Sequence, residues 1–358
     1  MSTAQRETAA LSYPKSMAGR RHHTIPQFML RAFESSKHGK ESRVWLCRRD
    51  FEPIELNVTK IGVEKDFYGI ELDNRITELE GGFASLVDDL RARSGPVDKP
   101  EIADLVAHLT WRTRALRQSA IELARKMTDK IRDHVSQPCV IKAAVRKKMP
   151  NHEVLKRLRS ELAKAGISRA EIEGRILAAG PKLLAMWEKN LDDGIEAIVP
   201  VANRAMTESA KGLPASMRLS FIEALSRGLD ANPRIKAYRQ LEWSVLSTAE
   251  ALILGDSVCI FEMAGERPFK PWDDETTPGK RIFMPLCPGR LLVGSRDSSV
   301  PEVDLAAINQ AFARCSLEFF VSAKRLEGSD LIESIGVWSG IANDTELNAV
   351  WEQIKADF

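Results

Sequence analysis

The sequence predicts an α+β protein, with an antiparallel sheet built from N- and C-terminal segments and a large all-helical middle insertion. Short apolar or β-branched runs punctuated by Pro and Gly lie near both ends of the 358-residue chain, and they are typical of strands. Between them, apolar residues recur at helical spacing. This segregation of strands and helices is typical of the α+β class. We expect a disordered tail at 1–17, an α+β core at 18–98 and 240–358, and a basic helical region at 99–239.

Predicted strands lie on both sides of the helical region. They are RVWLCRR (43–49), PIELNV (53–58), DFYGI (66–70), ALIL (251–254), SVCIFE (257–262), RIFMPL (281–286), RLLVG (290–294) and LEFFVSA (317–323). Cys-Pro-Gly at 287–289 predicts the turn of a hairpin. Strands from distant segments are therefore expected to share one sheet.

Predicted helices occupy the middle of the chain and four further places. A short helix begins at Pro26, because the first turn tolerates the missing N–H of proline. The others are 71–95, one long helix at 101–135, helical segments to Ala231 broken near Pro138, Pro150, Gly166, Pro181 and Pro214, then about 302–315 and 345–356.

Composition excludes several classes of protein. The 44% hydrophobic and 28% charged residues are those of an ordinary globular chain. The first twenty residues lack the apolar core of a signal peptide, and no run approaches the roughly 18 apolar residues of a membrane span. Five scattered cysteines without a CxxC pair argue against a zinc knuckle and against a disulfide framework. We therefore expect a cytoplasmic protein with no membrane partner and no recognisable nucleotide loop.

The net charge of +2 is unevenly distributed. Residues 112–166 contain 15 Lys and Arg against 5 Asp and Glu, whereas the rest of the chain contains 37 against 45. Such a segment suits an anionic partner such as nucleic acid, and Arg146, Lys147 and Lys148 are its densest cluster. The alternative is an ordinary solvated helix surface.

Residues 20–33, RRHHTIPQFMLRAF, place Arg21, His22 and His23 just before the helix predicted to begin at Pro26. The N–H groups and dipole of a helix N-terminus attract phosphate, and Arg21 adds positive charge. A histidine here can act as a general acid or base, or bind a metal ion. The alternative is a structural histidine that bonds a main-chain carbonyl and braces the helix entrance. Adjacent residues of an extended segment point in opposite directions, so at most one enters a given site.

Two carboxylates are further candidates. Asp256 follows an apolar strand in a predicted turn, where a metal ligand or general acid is often placed. The alternative for Asp256 is an Asx-turn residue that caps the chain reversal. Glu80 lies on a helix with a clear core stripe, where an exposed position is the ordinary alternative to an inward-facing ligand.

A cationic group follows the helix predicted to begin at 101. It consists of Trp111, Arg112, Arg114 and Arg117. Forked guanidinium groups suit phosphate, and the indole can stack on a base. Equally, Trp111 belongs to the core and the arginines pair with the acidic C-terminal region.

The order of these motifs resembles a family known as domain of unknown function 4238, a prokaryotic-type family. The segments that carry the resemblance include HHTIPQFMLRAF (22–33), VWLCRR (44–49), IGVEKDFYGI (61–70), ITELEGGFASLV (76–87), WRTR (111–114), LILGDSVCIFE (252–262), MPLCPGRLLVG (284–294) and AAINQAFARCSLEFFVSA (306–323). The resemblance implies that the His-His-x-x-Pro motif and an Asp turn after a strand are the distinctive positions. Here Gly255-Asp256-Ser257-Val258 keeps the aspartate but lacks the usual flanking Ser and Pro. The resemblance implies a fold and candidate positions but no reaction.

These features favour a phosphodiester hydrolase that acts on nucleic acid, in a bacterial defence or toxin-like role. A divalent metal ion would activate water, while Arg112 and Arg114 hold the phosphate. The expected ligands and proton-transfer groups are His22, His23, Asp256 and Glu80. A shared site requires the histidines to lie within about 10 Å of the aspartate. The alternative is a non-enzymatic module that binds nucleic acid or an acidic protein.

Overall fold

A computed structural model of the chain describes residues 21–65, 67, 69–148, 151–229, 232, 234–273, 279–296 and 303–356. Its strands, in chain order, are β1 (Arg21–His23), β2 (Ser36–His38), β3 (Glu41–Arg48), β4 (Phe51–Asn57), β5 (Val63–Lys65), β6 (Gly95–Val97), β7 (Glu242–Ser247), β8 (Leu254–Gly255), β9 (Ile260–Glu262), β10 (Phe269–Lys270), β11 (Arg281–Cys287), β12 (Arg290–Ser295) and β13 (Phe319–Ser322). Its helices are α1 (Gln27–Arg31), α2 (Ile70–Arg91), α3 (Glu101–Arg112), α4 (Arg114–Val135), α5 (Pro138–Lys148), α6 (Asn151–Lys164), α7 (Arg169–Ser226), α8 (Arg234–Tyr238), α9 (Leu305–Cys315), α10 (Asp330–Glu333) and α11 (Asp344–Ala356). The predicted disordered tail at 1–17 lies outside the described residues.

One antiparallel sheet joins the two ends of the chain. Its order is β2-β3-β13-β8, and β4 also pairs with β3. Ser42, Val44 and Leu46 of β3 are buried while Arg43 and Trp45 between them are partly exposed, as expected for a strand with one face on the core. The predicted α+β class, with N- and C-terminal segments sharing an antiparallel sheet, is confirmed.

The structure has a second sheet, in the order β10-β9-β11-β12-β7-β6. The sequence predicts a single sheet and does not distinguish these strands from those of the first. Within the second sheet, β11 and β12 form the hairpin predicted around Cys-Pro-Gly, which is confirmed. At its edge, β6 pairs with β7, although the sequence predicts a helix as far as residue 95 and no strand before the helix that begins at 101. The pairing is possible because proline is tolerated in an edge strand, where no ladder bond needs its N–H.

A third, two-stranded sheet pairs β1 with β5. The strand predicted at 66–70 is wrong in its placement: the extended segment lies at 63–65, and Ile70 already begins α2. Residues 66 and 68 lie outside the described part of the chain. An acidic first turn, with Glu71 and Asp73, favours a helix start at this point.

The helix predicted to run unbroken over 101–135 is interrupted at Thr113, which is extended with φ −64° and ψ 140°. The Thr113 hydroxyl donates to the Thr110 carbonyl at 3.0 Å and accepts the N–H of Leu116 at 3.3 Å. The side chain therefore ends one helix and caps the next, which apolar periodicity does not reveal.

The chain forms two compact units. One contains Met1–Ser119 and Arg218–Ile341, and the other contains Ala120–Met217 and Ala342–Phe358. The first unit holds all three sheets together with α2 and α3, because Ile102 of α3 belongs to the same buried core as the strands.

The second unit is helical. Sequence reasoning expected helix breaks near Pro181 and Pro214, but both lie inside α7, as does Pro200. A proline removes one intrahelical hydrogen bond and favours a bend, without necessarily ending the helix. Among the described residues, no helix combines the length and the apolar character needed to cross a membrane.

Candidate functional site

The β1–β5 pair places His22 directly opposite Glu64, and His23 opposite Val63. Side chains alternate between the two faces of a strand, so the two histidines face opposite sides. His22 is only 2% exposed, whereas His23 is half-buried. The two histidines therefore have different environments, although they are adjacent in the sequence.

Gly62 allows the chain to turn into β5. It has a positive φ of 58°, and its carbonyl accepts the Thr24 N–H at 2.7 Å and the Thr24 hydroxyl at 3.0 Å. A Cβ atom at this position would lie 3.0 Å from Thr24 Oγ1, in a conformation that other residues rarely adopt. This turn fixes β5 beside β1.

His22 contacts Asp73 in the first turn of α2. His22 Nδ1 lies 2.9 Å from Asp73 Oδ1. An ionised carboxylate only accepts hydrogen bonds, so the imidazole donates through Nδ1–H. In a neutral imidazole, Nε2 then carries the lone pair, which is the tautomer that a general base requires. The Asp73 side chain is 28% exposed, so the pair lies between the core and the surface.

The contacts of His23 are structural, because they join the start of α1 to the turn before β5. Its Nδ1 lies 3.3 Å from the Ile61 carbonyl, and its Nε2 lies 2.9 Å from Gln27 Nε2 on α1. The Gln27 carbonyl oxygen accepts a hydrogen bond from Arg31 at 2.6 Å. With Nδ1–H donating and Nε2 accepting, both ring nitrogens hold the entrance of α1 against the turn before β5.

Two buried arginines hold the strand pair against the helices. Arg112, at the end of α3, forms an ion pair with Glu80 and donates to the main-chain carbonyl of His23. Arg117 forms an ion pair with Glu64 and donates to the Arg112 carbonyl at 2.6 Å. Removing one partner of a buried ion pair leaves an uncompensated charge, so each residue has a structural role.

Arg114 is the accessible guanidinium of this group, with 41% of its side chain exposed. It lies between two carboxylates, 3.1 Å from Glu318 Oε2 and 3.6 Å from Glu64 Oε1. Glu318 belongs to the acidic C-terminal part of the sequence. Nearby, the Arg117 guanidinium lies 4.1 Å from the ring centroid of Phe67, in a cation–π contact.

Asp256 caps the main chain before β13. Its carboxylate accepts the N–H groups of Leu317 and Glu318, each at 2.7 Å, and that of Phe319 at 3.3 Å. Burial raises the pKa of Asp256 to about 7, and the three N–H donors act against this rise. These contacts are long-range, so they differ from the local Asx turn that is the sequence-based alternative for Asp256, although they too are structural.

The residues proposed as metal ligands have other partners in the structure. Glu80 is paired with Arg112, His22 with Asp73, and Asp256 with main-chain N–H groups. No three His, Cys, Asp or Glu side chains in these parts of the chain are placed to hold a metal ion.

The basic cluster of the second unit is largely paired. Arg146 lies 2.5 Å from Glu188 on α7, and Lys142 contacts both Glu188 and Asp192. This unit carries 19 Lys and Arg against 16 Asp and Glu, so it is only weakly basic. Lys147 is exposed. The side chains of Arg21 and Lys148 lie outside the part of the chain that the structure describes.

Sequence reasoning did not identify Asp73 and Glu64 as members of this site. Both contacts are long-range, since Asp73 is 51 positions from His22, and Glu64 is 53 positions from Arg117. The one available signal was the position of Glu64 within the IGVEKDFYGI segment that carries the family resemblance.

The fold and this polar site define an α+β protein with a His–Asp pair beside several arginines. The chain belongs to the family described as "Protein of unknown function (DUF4238)", whose model matches residues 21–314. The resemblance expected from the sequence is therefore confirmed, and the match includes both histidines and Asp256. No curated protein and no solved structure matches the chain.

Proposed function

We propose that the protein is a cytoplasmic hydrolase of phosphodiester bonds that acts on nucleic acid, with His22 as its proton-transfer group. The observation that carries this proposal is the 2.9 Å contact between His22 Nδ1 and Asp73 Oδ1. A carboxylate that orients an imidazole is a recurrent arrangement in general acid–base catalysis. Arg114 is the accessible guanidinium beside the same strand pair, and guanidinium groups suit phosphate oxygens.

In the proposed reaction, His22 Nε2 takes a proton from a water molecule as the water oxygen attacks phosphorus. The bond from phosphorus to the leaving oxygen breaks, and the imidazolium returns the proton to that oxygen. Asp73 holds the imidazole in one orientation and stabilises its charged form. Arg114 offsets the negative charge on the phosphoryl oxygens. No step is assigned to a metal ion, since the described donor groups are committed to other partners.

Nucleic acid is the proposed substrate because of the positive charge between 112 and 166. Binding to a phosphate backbone requires a cationic surface rather than one fixed geometry. Exposed side chains such as Lys147 and Arg114 supply such charge, although many of their neighbours are paired. The free thiols of Cys47, Cys259 and Cys315 support a reducing, cytoplasmic setting. A bacterial defence or toxin-like role is part of this proposal.

The test is a cleavage assay on end-labelled single- and double-stranded DNA and RNA. It compares the wild type with His22→Gln and Asp73→Asn, in Mg²⁺ and in EDTA. We expect the wild type to cleave in both buffers, and each variant to lose about 10²-fold or more in kcat. His38→Ala is the matched control, because His38 is an exposed histidine in β2.

Two results decide the outcome of this test. Equal activity in the wild type and in a folded His22→Gln variant would show that His22 transfers no proton. Absence of cleavage on all four substrates would refute the proposed phosphodiester hydrolysis. Melting temperatures measured in parallel separate a loss of chemistry from a loss of folding.

A second candidate function is a non-enzymatic binding module, and the contacts of His23 and Arg112 favour it. Both residues hold main-chain groups of the strand pair and the α1 entrance, as structural residues do. Under this alternative, His22→Gln lowers the melting temperature and leaves nucleic-acid affinity unchanged. A filter-binding assay on the same substrates measures that affinity.

A further inference from the structure

A small cavity in the first unit is lined by two residues with buried polar atoms, and the proposed function uses neither residue. The cavity has a volume of about 100 Å³ and is lined by residues of α2 and α3 and by Ala224, Leu225, Arg227, Gly228, Leu229 and Asn232. His108 and Trp111, both on α3, contribute to its wall. Most of the remaining wall is apolar, with Leu72, Ile76 and Leu79 on α2.

Neither polar atom has a hydrogen-bond partner among the described residues. His108 is 4% exposed, and its Nε2 contacts no donor or acceptor. The indole Nε1 of Trp111 is buried and contacts no acceptor. Buried polar groups in native proteins are usually satisfied, and both residues line the same cavity, so a single bound molecule would supply both partners. The natural explanation is a molecule that occupies the cavity.

The chemistry of the two atoms limits the class of ligand. The indole N–H can only donate a hydrogen bond, so it requires an acceptor. Burial lowers the pKa of His108 to about 4, so its imidazole is neutral near pH 7 and can accept or donate. A hydroxyl group satisfies both atoms, because it donates one hydrogen bond and accepts two. The apolar part of the wall favours an uncharged ligand, and the two arginines of the wall, Arg75 and Arg227, are already bonded to the Ser226 carbonyl and to Glu223.

The size and the entrance of the cavity limit the ligand further. An engineered cavity of about 150 Å³ binds benzene, so one of about 100 Å³ accepts at most roughly one ring. The cavity shares Arg75, Arg227 and Gly228 with a wider groove of about 1060 Å³. A ligand can therefore enter from the groove with its apolar part foremost.

We infer that this cavity is a binding site for an uncharged small molecule of about one ring that carries a hydroxyl group. The hydroxyl oxygen accepts from Trp111 Nε1–H and exchanges a hydrogen bond with His108 Nε2. The ring packs against the apolar side chains of α2. This site is independent of the proposed phosphodiester hydrolysis, because none of its polar contacts involves His22 or Asp73.

The experiment is an NMR titration of the full chain with phenol, and with toluene as a probe of similar shape that lacks the hydroxyl. The chain has seven tryptophans, and Trp111→Phe assigns the indole N–H signal by its disappearance. We expect phenol to shift this signal in a saturable way, and to bind about tenfold more tightly than toluene. Trp187→Phe is the matched control, because Trp187 lies outside the cavity wall.

Each outcome of the titration decides for or against the site. In Trp111→Phe, the preference for phenol over toluene should disappear, while Trp187→Phe should keep it. Equal binding of phenol and toluene to the wild type would overturn the role of the two polar atoms. An unmoved Trp111 signal at saturating phenol would show that the cavity holds only water. The wild-type comparison decides these points even if the Trp111 variant fails to fold.

Discussion

Lowering the pH should destabilise the protein through His108, and the effect can be isolated with one substitution. The imidazole is almost fully buried, and burial lowers its pKa from 6.5 to about 4. Its ring lies against Phe83, with 5.4 Å between centroids, and Nε2 has no partner among the described residues. Protonation would therefore place a charge in an apolar site with no acceptor to receive it.

The sign and size of the effect follow from the two pKa values. Between pH 6.5 and pH 4 the unfolded chain binds a proton at this position and the folded chain does not. The contribution of neutral His108 to the unfolding free energy is therefore fully present above pH 6.5, and it is lost as the pH falls towards 4. At 1.36 kcal/mol for each tenfold change in proton affinity, the full loss in unfolding free energy is about 3 kcal/mol. Below pH 4 this contribution stops changing.

The assay is urea denaturation at half-unit steps from pH 4 to pH 7.5, for the wild type and for His108→Phe. Other groups, such as the carboxyl of Asp256 with its raised pKa, titrate in both proteins and cancel in the difference. The stability of the wild type relative to the variant should fall by about 3 kcal/mol over this range. A difference that stays constant within about 0.5 kcal/mol would refute the reasoning, because His108 would then titrate alike in both states.

Two further predictions concern packing and ion pairs. A Cβ at Gly294 would lie 2.7–2.9 Å from ring carbons of Trp243, so Gly294→Ala should lower the unfolding free energy by about 1–3 kcal/mol in urea denaturation. Gly289→Ala, with no atom within 4 Å, should change it by less than about 0.5 kcal/mol, and an equal loss in both would contradict the packing argument. Arg117→Met should lower the unfolding free energy by about 2–3 kcal/mol, because it leaves the partly buried Glu64 carboxylate without its partner. Arg125→Met breaks an exposed ion pair and should lower it by less than about 1 kcal/mol. Thermal melts of the two arginine variants check this, and similar shifts would show that burial does not matter here.

Local chemistry predicted those elements whose signals lie within a few residues. The hairpin of β11 and β12 follows from a turn sequence between two apolar runs, and α2 follows from an apolar stripe at helical spacing. The break at Thr113 was missed, because it depends on a hydroxyl that bonds the backbone on both sides rather than on periodicity. The prolines of α7 led to the opposite error, since a local rule predicted breaks where the helix continues.

The candidate site was predicted only in part, because sequence motifs identify reactive residue types and not their partners. His22 and Arg112 were recognisable from their motifs. Asp73 and Glu64 were not, since each is an ordinary charged residue at an apparently solvated position. Their pairing arises when α2 and β5 are brought against β1, and this long-range contact has no periodic signal.

The balance of charge at this site determines how it could accept a phosphate. Among the described residues, Arg112, Arg114 and Arg117 are each paired with a carboxylate, which belongs to Glu80, Glu318 and Glu64 respectively. An anionic substrate must therefore replace an existing carboxylate. The ion pairs of Arg112 and Arg117 are buried, and breaking either pair would leave a buried charge without a partner.

The pair of Arg114 and Glu318 differs, because 41% and 37% of these side chains are exposed. An exposed pair contributes only about 0–1 kcal/mol, so a phosphate can displace Glu318 at little cost. Arg114 is thus the guanidinium through which a hydrolase would hold its substrate. If the site is purely structural, substitution of Arg114 should lower the stability of the protein less than substitution of Arg112 or Arg117.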